Sequence, residues 1–521
     1  MKSPTRAALI LAAAIATFVG YFQMAKTMPI NADGASNALQ AWEMWHGNPI
    51  LRGWTVTDVS FYSTELIEYL LITLVHGLNE DVFRIACALT YTLLVVLTVA
   101  LAKGDATGRK ALARMGLAAA IVLLPMPGAG YLVAFGGPNH LGTAVPLLVT
   151  WLLLDRAQEK RWMPVAVGLA LVWGQIGDPL VLFIGVLPLG LVTLYRTVRK
   201  REWFGTDARL VLAAALSVPI GQGVLKGIEA AGGFIAHSPP THFASPGKWL
   251  GHLKLLGEVT AVNYGGYLPD LSHPVDVVVG VLRLGGLGLA VIALGMALVS
   301  LLRQPFGDRV NQVLAIAIGV NLGAFVASTL PTDLMSARQV AVVLPMGAAL
   351  AGRIVADHLF ATKRPQIALA TLLVFFGGVF VWHTTGKPWD EPKRELVAWL
   401  DGQGLHHGLG GYWNANDLTL ISQGKVTVAP VTGGDTIRGL RWESRADWYD
   451  AAKFDARFIV IDTTRPAIGD VDTALKQFGN PVIRKDFEQF AVLVYDKDLL
   501  EGLDAECVGS VKPSMYDCAS G

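Results

Sequence analysis

Long apolar stretches separated by short basic clusters fill the first 386 residues of this chain. A helix of about twenty apolar residues crosses a hydrocarbon layer of ~30 Å. Runs of this kind occur at 7–28, 82–102, 112–127, 140–154, 162–177, 179–195, 209–228, 276–302, 311–330, 337–355 and 366–384. They predict a polytopic α-helical membrane protein with about 11 transmembrane helices. The first run has the basic start of a secretory signal, but its apolar character extends to Met28, which favours an uncleaved helix over cleavage.

Composition agrees with this pattern. The chain is 53% hydrophobic and only 16% charged, whereas soluble domains carry about 25% charged residues. The formal net charge is +1 and no basic stripe occurs, so a nucleic-acid partner is not expected and membrane lipids are.

Lysine and arginine are concentrated in alternate loops, on one side of the predicted bundle. One set of loops carries Lys103, Arg109, Lys110, Arg114, Arg156, Lys160, Arg161, Arg196, Arg199, Lys200, Arg201, Arg303, Arg309, Arg353, Lys363 and Arg364. The other set, before residue 387, holds little beyond Arg52, Lys248, Lys254 and Arg338. The positive-inside rule then predicts a multi-pass plasma-membrane protein with a cytoplasmic N-terminus and an extracytoplasmic C-terminal domain.

The charge pattern also divides the chain. Residues 1–386 form the predicted transmembrane domain, with large extracytoplasmic loops at 29–79 and 229–275. Residues 387–521 read as a small C-terminal extracytoplasmic α/β domain. Its predicted helices are Pro392–Leu400 and Asp472–Phe478, and its predicted strands are Lys425–Val431, Arg457–Asp462 and Phe490–Tyr495. His406 and His407 stand in a Gly-rich segment and are interpreted as a surface loop.

Three cysteines exclude a disulfide-dense scaffold. Cys87 falls in an apolar run and is predicted to be a core residue. Cys507 and Cys518 lie on the predicted outer side, where one disulfide and two free thiols are both open.

Candidate chemistry begins in the first outer loop. Asp33 follows the first helix directly, and a carboxylate at the mouth of a membrane cavity costs several kcal/mol unless it has partners or water. Segments Ala35–His46 and Glu65–Leu78 have the amphipathic pattern of helices that lie along a membrane surface. Such helices would suit an enzyme that receives a lipid-borne substrate. Alternatively, they only pack along the membrane surface with aromatic belt residues.

This loop also concentrates acidic groups around one fixed cation, Arg52. The carboxylates are Asp33, Glu43, Asp58, Glu65 and Glu68. Such a set indicates a cavity that binds hydroxylated ligands, binds a cation or holds one carboxylate as a base. Any one of these carboxylates is also explained as a helix cap or a solvated charge. Asp33 is the exception, because it lies at the exit of the first helix.

Two cationic candidates lie on other outer turns. His140 follows a Gly-Gly-Pro-Asn turn at a helix start, where it contacts a phosphate or simply begins a helix. Arg338 precedes an apolar helix and suits a lipid phosphate by bidentate hydrogen bonding; an ion pair with Asp333 is the alternative. Asp178 is predicted to cap the helix that follows it. The chain has no Walker-type loop, GxSxG, HExxH or paired CxxC motif.

The chain resembles the GT-C superfamily of polyprenyl-phosphate-sugar glycosyltransferases. The matching features are Asp33-Gly34 at the end of the first helix, the loop segments 41–47, 51–54 and 61–65, the late Ser336-Ala337-Arg338-Gln339-Val340 leading to Leu344-Pro345, the helix count and the small outer C-terminal domain. Gln339 departs from the tyrosine that is common after this arginine in the superfamily.

The resemblance implies transfer of a sugar from a polyprenyl-phosphate carrier to a glycan, lipid or protein acceptor outside the cytoplasm, with inversion. It assigns the catalytic base to Asp33. Arg338 or His140 would hold the phosphate, and Asp58 and Glu65 would position sugar or acceptor. Some members use a divalent metal; no cofactor is predicted here.

Two other classes stay open. One is a transporter or flippase for lipid-linked sugars, although the charges cluster at the outer ends of helices rather than in mid-membrane. The other is a non-catalytic relative that binds glycans through its C-terminal domain. Trp413, Trp442 and Trp448 could stack on sugar rings there or pack in its core.

Overall fold

A bundle of apolar helices followed by a mixed sheet makes up the fold. The computed structural model describes residues 3–57, 59–157, 160–236, 241–465, 469–507 and 510–512. Fifteen helices precede residue 387 within these ranges: α1 Ser3–Ala25, α2 Ala32–Trp45, α3 Glu65–His76, α4 Glu80–Lys103, α5 Gly108–Val122, α6 Ala129–Phe135, α7 Ala144–Arg156, α8 Met163–Gly177, α9 Leu187–Lys200, α10 Thr206–Ala230, α11 Trp249–Asn263, α12 Pro274–Arg303, α13 Arg309–Ala327, α14 Val343–Leu359 and α15 Lys363–His383.

A helix occupies each of the eleven predicted spans, but not all of these helices are long and apolar enough to cross a membrane. Seven helices in the described part of the chain are long and apolar enough, or eight if the 3₁₀ helix Leu334–Val340 and α14, bent by 55°, form one span. The helices α5, α7 and α8 have 15, 13 and 15 residues, which is about 20 Å at 1.5 Å per residue. The chain is therefore a multi-pass membrane protein, and the predicted count of eleven is not confirmed.

Small residues let the bundle helices approach closely. A Cβ atom on Gly352 of α14 would lie 2.7 Å from the backbone oxygen of Arg114 on α5, so this crossing requires glycine. The same end of α14 carries a buried ion network, in which Arg353 contacts Asp155 at 2.9 Å and Asp308 at 2.7 Å. Paired charges of this kind avoid the cost of isolated buried ions.

The C-terminal domain is an α/β unit, as predicted. Its elements are α16 Lys393–Gly402, β3 His407–Gly411, α17 Tyr412–Ile421, β4 Thr427–Thr432, β5 Arg438–Leu440, β6 Ser444–Arg445, β7 Phe458–Asp462, α18 Val471–Phe478, β8 Ile483–Phe487, β9 Phe490–Val494, β10 Ala505–Cys507 and β11 Ser510–Lys512. Among the described residues, eight strands form one sheet in the order β11-β10-β5-β4-β3-β7-β9-β8. Both predicted helices and all three predicted strands are confirmed.

The interpretation of His406 and His407 as a surface loop is wrong for His407. This residue begins β3, which lies parallel between β4 and β7 at the centre of the sheet. A Cβ atom on Gly408 would lie 2.5 Å from the ring of Phe458, so the glycine marks close strand packing instead of a loop. His407 is 8% exposed, stacks on Phe454 at 4.4 Å and bonds the Trp448 carbonyl.

A second, three-stranded sheet joins three distant segments. The strand β1 Trp54–Val56, between α2 and α3, pairs with β2 Ile235–Ala236, between α10 and α11, and with β6 of the C-terminal domain. Arg445 on β6 also contacts Glu43 on α2 at 2.6 Å, and α17 packs against α2. The two domains therefore share a seam along α2.

The cysteine predictions are tested at one position. Cys87 is a free, buried core residue, as predicted. Cys518 lies outside the described residues, so both alternatives for Cys507 and Cys518, one disulfide or two free thiols, stay predictions.

Candidate active site

The start of α2 is tied to the turn at 136–140 by one side chain. Asn31 caps α2 by accepting a hydrogen bond from Gly34 N at 2.8 Å, and its Nδ2 donates to the Gly136 carbonyl. Gly137 has φ +140°, and a Cβ there would lie 2.6 Å from Asn31 Nδ2, so the close approach requires glycine. This contact brings Asp33 and His140 to the same cavity.

That cavity has a volume of about 360 Å³ and is shared by both domains. Its walls hold three residues predicted from the sequence: Asp33, His140 and Arg338. The remaining lining residues are Thr57, Val59, Phe61, Pro138, Gln339, Tyr412, Trp413, Leu440, Trp442 and Glu443. A concave site with a few convergent polar groups on an apolar lining is typical of a ligand pocket.

Asp33 is half-buried and held by one oxygen. The Tyr412 hydroxyl donates to its Oδ1 at 2.6 Å, while Oδ2 accepts no hydrogen bond from any residue that the structure describes. A carboxylate fixed by one oxygen and open at the other can accept a proton from a ligand in the cavity.

His140 is held by a buried carboxylate. Asp178 Oδ2 accepts from its Nδ1 at 2.8 Å and from the Thr143 hydroxyl, while Asp178 Oδ1 accepts from Leu180 N at 2.8 Å. Burial raises the pKa of Asp178, but the His140 imidazolium and these hydrogen bonds outweigh burial and bring that pKa below its ordinary value. The prediction that Asp178 caps the next helix is wrong: its Oδ1 bonds Leu180 N in the turn before Val181, and the helix that follows has no side-chain cap. The carboxylate instead orients His140.

Arg338 lines the same cavity from the 3₁₀ helix Leu334–Val340. Asp333 accepts from Met335 N at 2.8 Å and caps this helix, and no ion pair joins it to Arg338, although the structure describes both residues. A half-buried guanidinium beside a cavity suits a phosphate or carboxylate ligand.

The C-terminal domain contributes residues that the sequence analysis did not assign. Tyr412 and Trp413 begin α17, and Trp442 and Glu443 precede β6. Trp413 and Trp442 were candidates for stacking on sugar rings, whereas nothing in the sequence marked Tyr412 and Glu443. Trp413 is 45% exposed and packs edge-on against Tyr412 at 5.0 Å. Trp448 packs against Trp54 in the core, outside the cavity.

Glu443 is buried beside Asp33 without a cation. It is 1% exposed, and its Oε2 lies 3.0 Å from the Tyr412 hydroxyl. Burial, followed by the charge of Asp33, raises the pKa of Glu443 well above its ordinary value. Burial and the two carboxylates likewise raise the pKa of Tyr412. Both environments therefore favour the neutral forms of Glu443 and Tyr412.

The structure does not bring Glu65 to this cavity. It begins α3, is 3% exposed, and accepts from Gly142 N at 3.1 Å beneath the 136–140 turn. Burial raises its pKa to about 7. Its carboxylate lies between α3 and the chain at Gly142 and is not among the residues that line the cavity. Its role in positioning sugar or acceptor stays a prediction. Asp58 lies outside the described residues.

The other first-loop carboxylates are occupied elsewhere. Glu43 pairs with Arg445 across the domain seam, and Glu68 accepts from the Thr90 hydroxyl at 2.7 Å. Within the described ranges, no group of three or more His, Cys, Asp or Glu residues is arranged to hold a metal ion.

Comparisons with known proteins agree with this architecture. No protein-family model and no curated protein sequence matches the chain. Among solved structures, it is similar to ArnT from Cupriavidus metallidurans bound to undecaprenyl phosphate, with a TM-score of 0.55 and 14% identity over 94% of this chain and 98% of ArnT. It is also similar to the Archaeoglobus fulgidus oligosaccharyltransferase in complex with Zn and sulfate, with a TM-score of 0.51 and 12% identity over 89% of this chain and 70% of that chain. Both likenesses show that the chain shares its fold with these two proteins.

Proposed function

We propose that this protein is a membrane glycosyltransferase that moves a sugar from a polyprenyl-phosphate carrier to an acceptor outside the cytoplasm. The observation that carries the proposal is the convergence of Asp33, His140 and Arg338 on one cavity of about 360 Å³. A base and two cationic groups are what an acceptor hydroxyl and a phosphate leaving group require. The fold similarity to ArnT, which was solved with undecaprenyl phosphate, supports the same donor class.

In the proposed reaction, Asp33 Oδ2 removes the proton of the acceptor hydroxyl. The acceptor oxygen attacks the anomeric carbon on the face opposite the phosphate, and the bond from that carbon to the phosphate oxygen breaks. The electron pair leaves with the polyprenyl phosphate, and the anomeric configuration inverts. A positioned general base contributes about 10²- to 10⁴-fold to such a step.

The leaving phosphate gains charge as this bond breaks, and the two cationic groups meet that charge. Arg338 offers a planar guanidinium that can bind two phosphate oxygens. His140, oriented by Asp178 at 2.8 Å, offers a second positive group. Groups that stabilise charge only as it develops accelerate the chemical step itself.

We further propose the orientation that the basic loops favour, with a cytoplasmic N-terminus and an extracytoplasmic domain over residues 387–521. Trp413 and Trp442 then face the compartment that holds the acceptor, which is a glycan, a lipid or a protein. The charges of the cavity lie near the outer ends of the helices, which suits an enzyme better than a transporter with mid-membrane charges.

A panel of radiolabelled polyprenyl-phosphate sugars tests this function with the purified protein in nanodiscs. Wild type is compared with Asp33→Asn and with Asp390→Asn, which makes the same chemical change at a side chain that is 91% exposed. Sugar release or transfer by wild type and Asp390→Asn alone is the expected result. Binding without turnover in all three proteins would point to a transporter or a non-catalytic relative, and equal turnover in all three would remove Asp33 from the mechanism.

A further inference from the structure

The Tyr412 hydroxyl lies between two carboxyl groups. Its oxygen is 2.6 Å from Asp33 Oδ1 and 3.0 Å from Glu443 Oε2. A phenol has a single proton and can donate one hydrogen bond. If both acids were ionised, one of these two contacts would bring two acceptors together without a proton between them. The geometry therefore requires one further proton on the three groups.

Burial decides which acid holds that proton. Glu443 is 1% exposed, whereas Asp33 is half-buried and borders the cavity. An ionised carboxylate is far more costly in the buried position. The proton therefore resides on Glu443, which donates to the Tyr412 oxygen, and Tyr412 donates its own proton to Asp33.

Among the described residues, no cation forms an ion pair with Glu443. The charge of Asp33 on α2 disfavours the ionised form of Glu443. Burial, followed by nearby acidic groups that include Glu443, raises the pKa of Tyr69 on α3. The arginines of its own segment are engaged elsewhere. Arg441 donates to Gly53 O and Thr55 Oγ1.

Arg445 contacts Glu43 and Asp447 at 2.6 and 2.5 Å. Burial and then the charge of Asp33 raise the pKa of Glu443. For an acid whose pKa is raised in the folded protein, the neutral form and its hydrogen bond are present at low pH and are lost as pH rises through that pKa.

We propose that Glu443, as a neutral acid, directs the single proton of Tyr412 onto Asp33 Oδ1, so that the C-terminal domain positions the base of the membrane domain. Glu443 and Tyr412 are thus positioning residues that act through Asp33. This inference rests on the proposed function only in taking Asp33 as the base. When Glu443 ionises, two anions compete for one proton, and Asp33 loses both its fixed donor and its neutral neighbour.

Four variants test the arrangement through the pH profile of kcat, with KM followed separately. Glu443→Gln keeps the shape and an N–H donor and cannot ionise; it is expected to retain most of the kcat of the wild type and to move the alkaline limb of the profile to higher pH. Tyr412→Phe removes the donor to Asp33, and Glu443→Ala removes the acid that holds the Tyr412 oxygen in place. Both are expected to lower kcat about 10- to 100-fold with KM little changed. Tyr449→Phe is the matched control, since its buried hydroxyl lies 2.7 and 3.0 Å from the Pro430 and Leu440 carbonyls, away from Asp33.

An infrared difference between wild type and Glu443→Gln supplies a readout that needs no activity. A protonated carboxyl stretch near pH 7 that is present in wild type and absent from the variant is expected. Its absence overturns the inference, whether or not sugar is transferred. An alkaline limb that is identical in wild type and Glu443→Gln, or a loss of kcat in Glu443→Gln as large as in Glu443→Ala, also overturns it. If the band is present and the wild type itself transfers no sugar, the proposed function fails while the proton arrangement stands.

Discussion

The two walls of the cavity differ in what their residues can do. The wall from the helical bundle carries ionic groups that are half-buried, Asp33, His140 and Arg338. The wall from the C-terminal domain carries Tyr412 and Glu443, which are both buried. In the proposed mechanism, the bundle supplies the groups that react with substrate, while the C-terminal domain fixes the position of Asp33.

The walls are also built over different distances along the chain. Asn31 fixes the bundle wall by bonding its own helix start and the turn at Gly136, which is 105 positions away. Tyr412 and Asp33 are 379 positions apart, and the seam of β1 with β6 holds them together. A change in the bundle wall should therefore abolish chemistry, whereas a change in the other wall should alter its rate, pH dependence or acceptor affinity.

Apart from Asp33 itself, the largest effect is expected at Arg338. Arg338→Ala should lower kcat about 10²- to 10³-fold, because the charge that develops on the leaving phosphate loses its guanidinium. Arg338→Lys should recover part of this loss, since it keeps the charge without the bidentate geometry. Steady-state kinetics with a polyprenyl-phosphate sugar measure both. Unchanged kcat in Arg338→Ala would exclude this phosphate contact.

A smaller effect is expected from the carboxylate behind His140. Asp178→Asn removes the negative charge that lies 2.8 Å from His140 Nδ1 and orients the imidazole. Binding of polyprenyl phosphate should therefore weaken about tenfold. Thr143→Val is the control, because it removes a hydrogen bond to Asp178 and leaves the charge in place. A Kd for polyprenyl phosphate that is equal in Asp178→Asn and wild type would contradict this role.

On the C-terminal wall, Trp413 is expected to act on acceptor affinity alone. Trp413→Ala should raise the KM for acceptor about 3- to 10-fold, the equivalent of one lost aromatic stacking contact, with kcat little changed. Trp413→Phe keeps a ring and should lie close to wild type. A fall in kcat with constant KM would instead give Trp413 a part in positioning Tyr412.

The domain seam should show the smallest effect, on stability. The Arg445–Glu43 pair is about three-quarters buried, and its loss should cost about 1 kcal/mol. That corresponds to a decrease of about 2–4 °C in the Tm of the C-terminal domain. A double-mutant cycle with Arg445→Gln and Glu43→Gln measures the coupling between them. Additive effects of the two substitutions would show that the pair does not stabilise the seam.

Much of the bundle wall could be predicted from the sequence. Apolar periodicity predicted the helices, and the basic loops separated the two sides. The position at the exit of the first helix marked Asp33, and a cation on the side poor in cations marked Arg338. Glu65 was predicted to line the site because it lies in the same loop as Asp33, yet its carboxylate is buried against Gly142. Periodicity fixes a position on a helix and leaves open which neighbour that face will meet.

The C-terminal wall could not be predicted, because its contacts depend on long-range packing. Nothing near Tyr412 or Glu443 in the sequence indicates that a helix start and a short connection will meet Asp33. The strand β3 shows the same limit, since glycines at 408 and 410 suggested a loop and instead permit close packing at the centre of the sheet. Local signals describe single elements, and the tertiary fold decides which of them meet.

The central claim is that Asp33 is the base of a sugar transfer from a polyprenyl phosphate. The most direct test measures donor binding and single-turnover transfer in the same nanodisc sample for wild type and Asp33→Asn. The account predicts equal donor Kd values and a rate of transfer that is about 10²- to 10⁴-fold lower in the variant. Equal rates of transfer, or a loss of donor binding that by itself accounts for the lower rate, would contradict it.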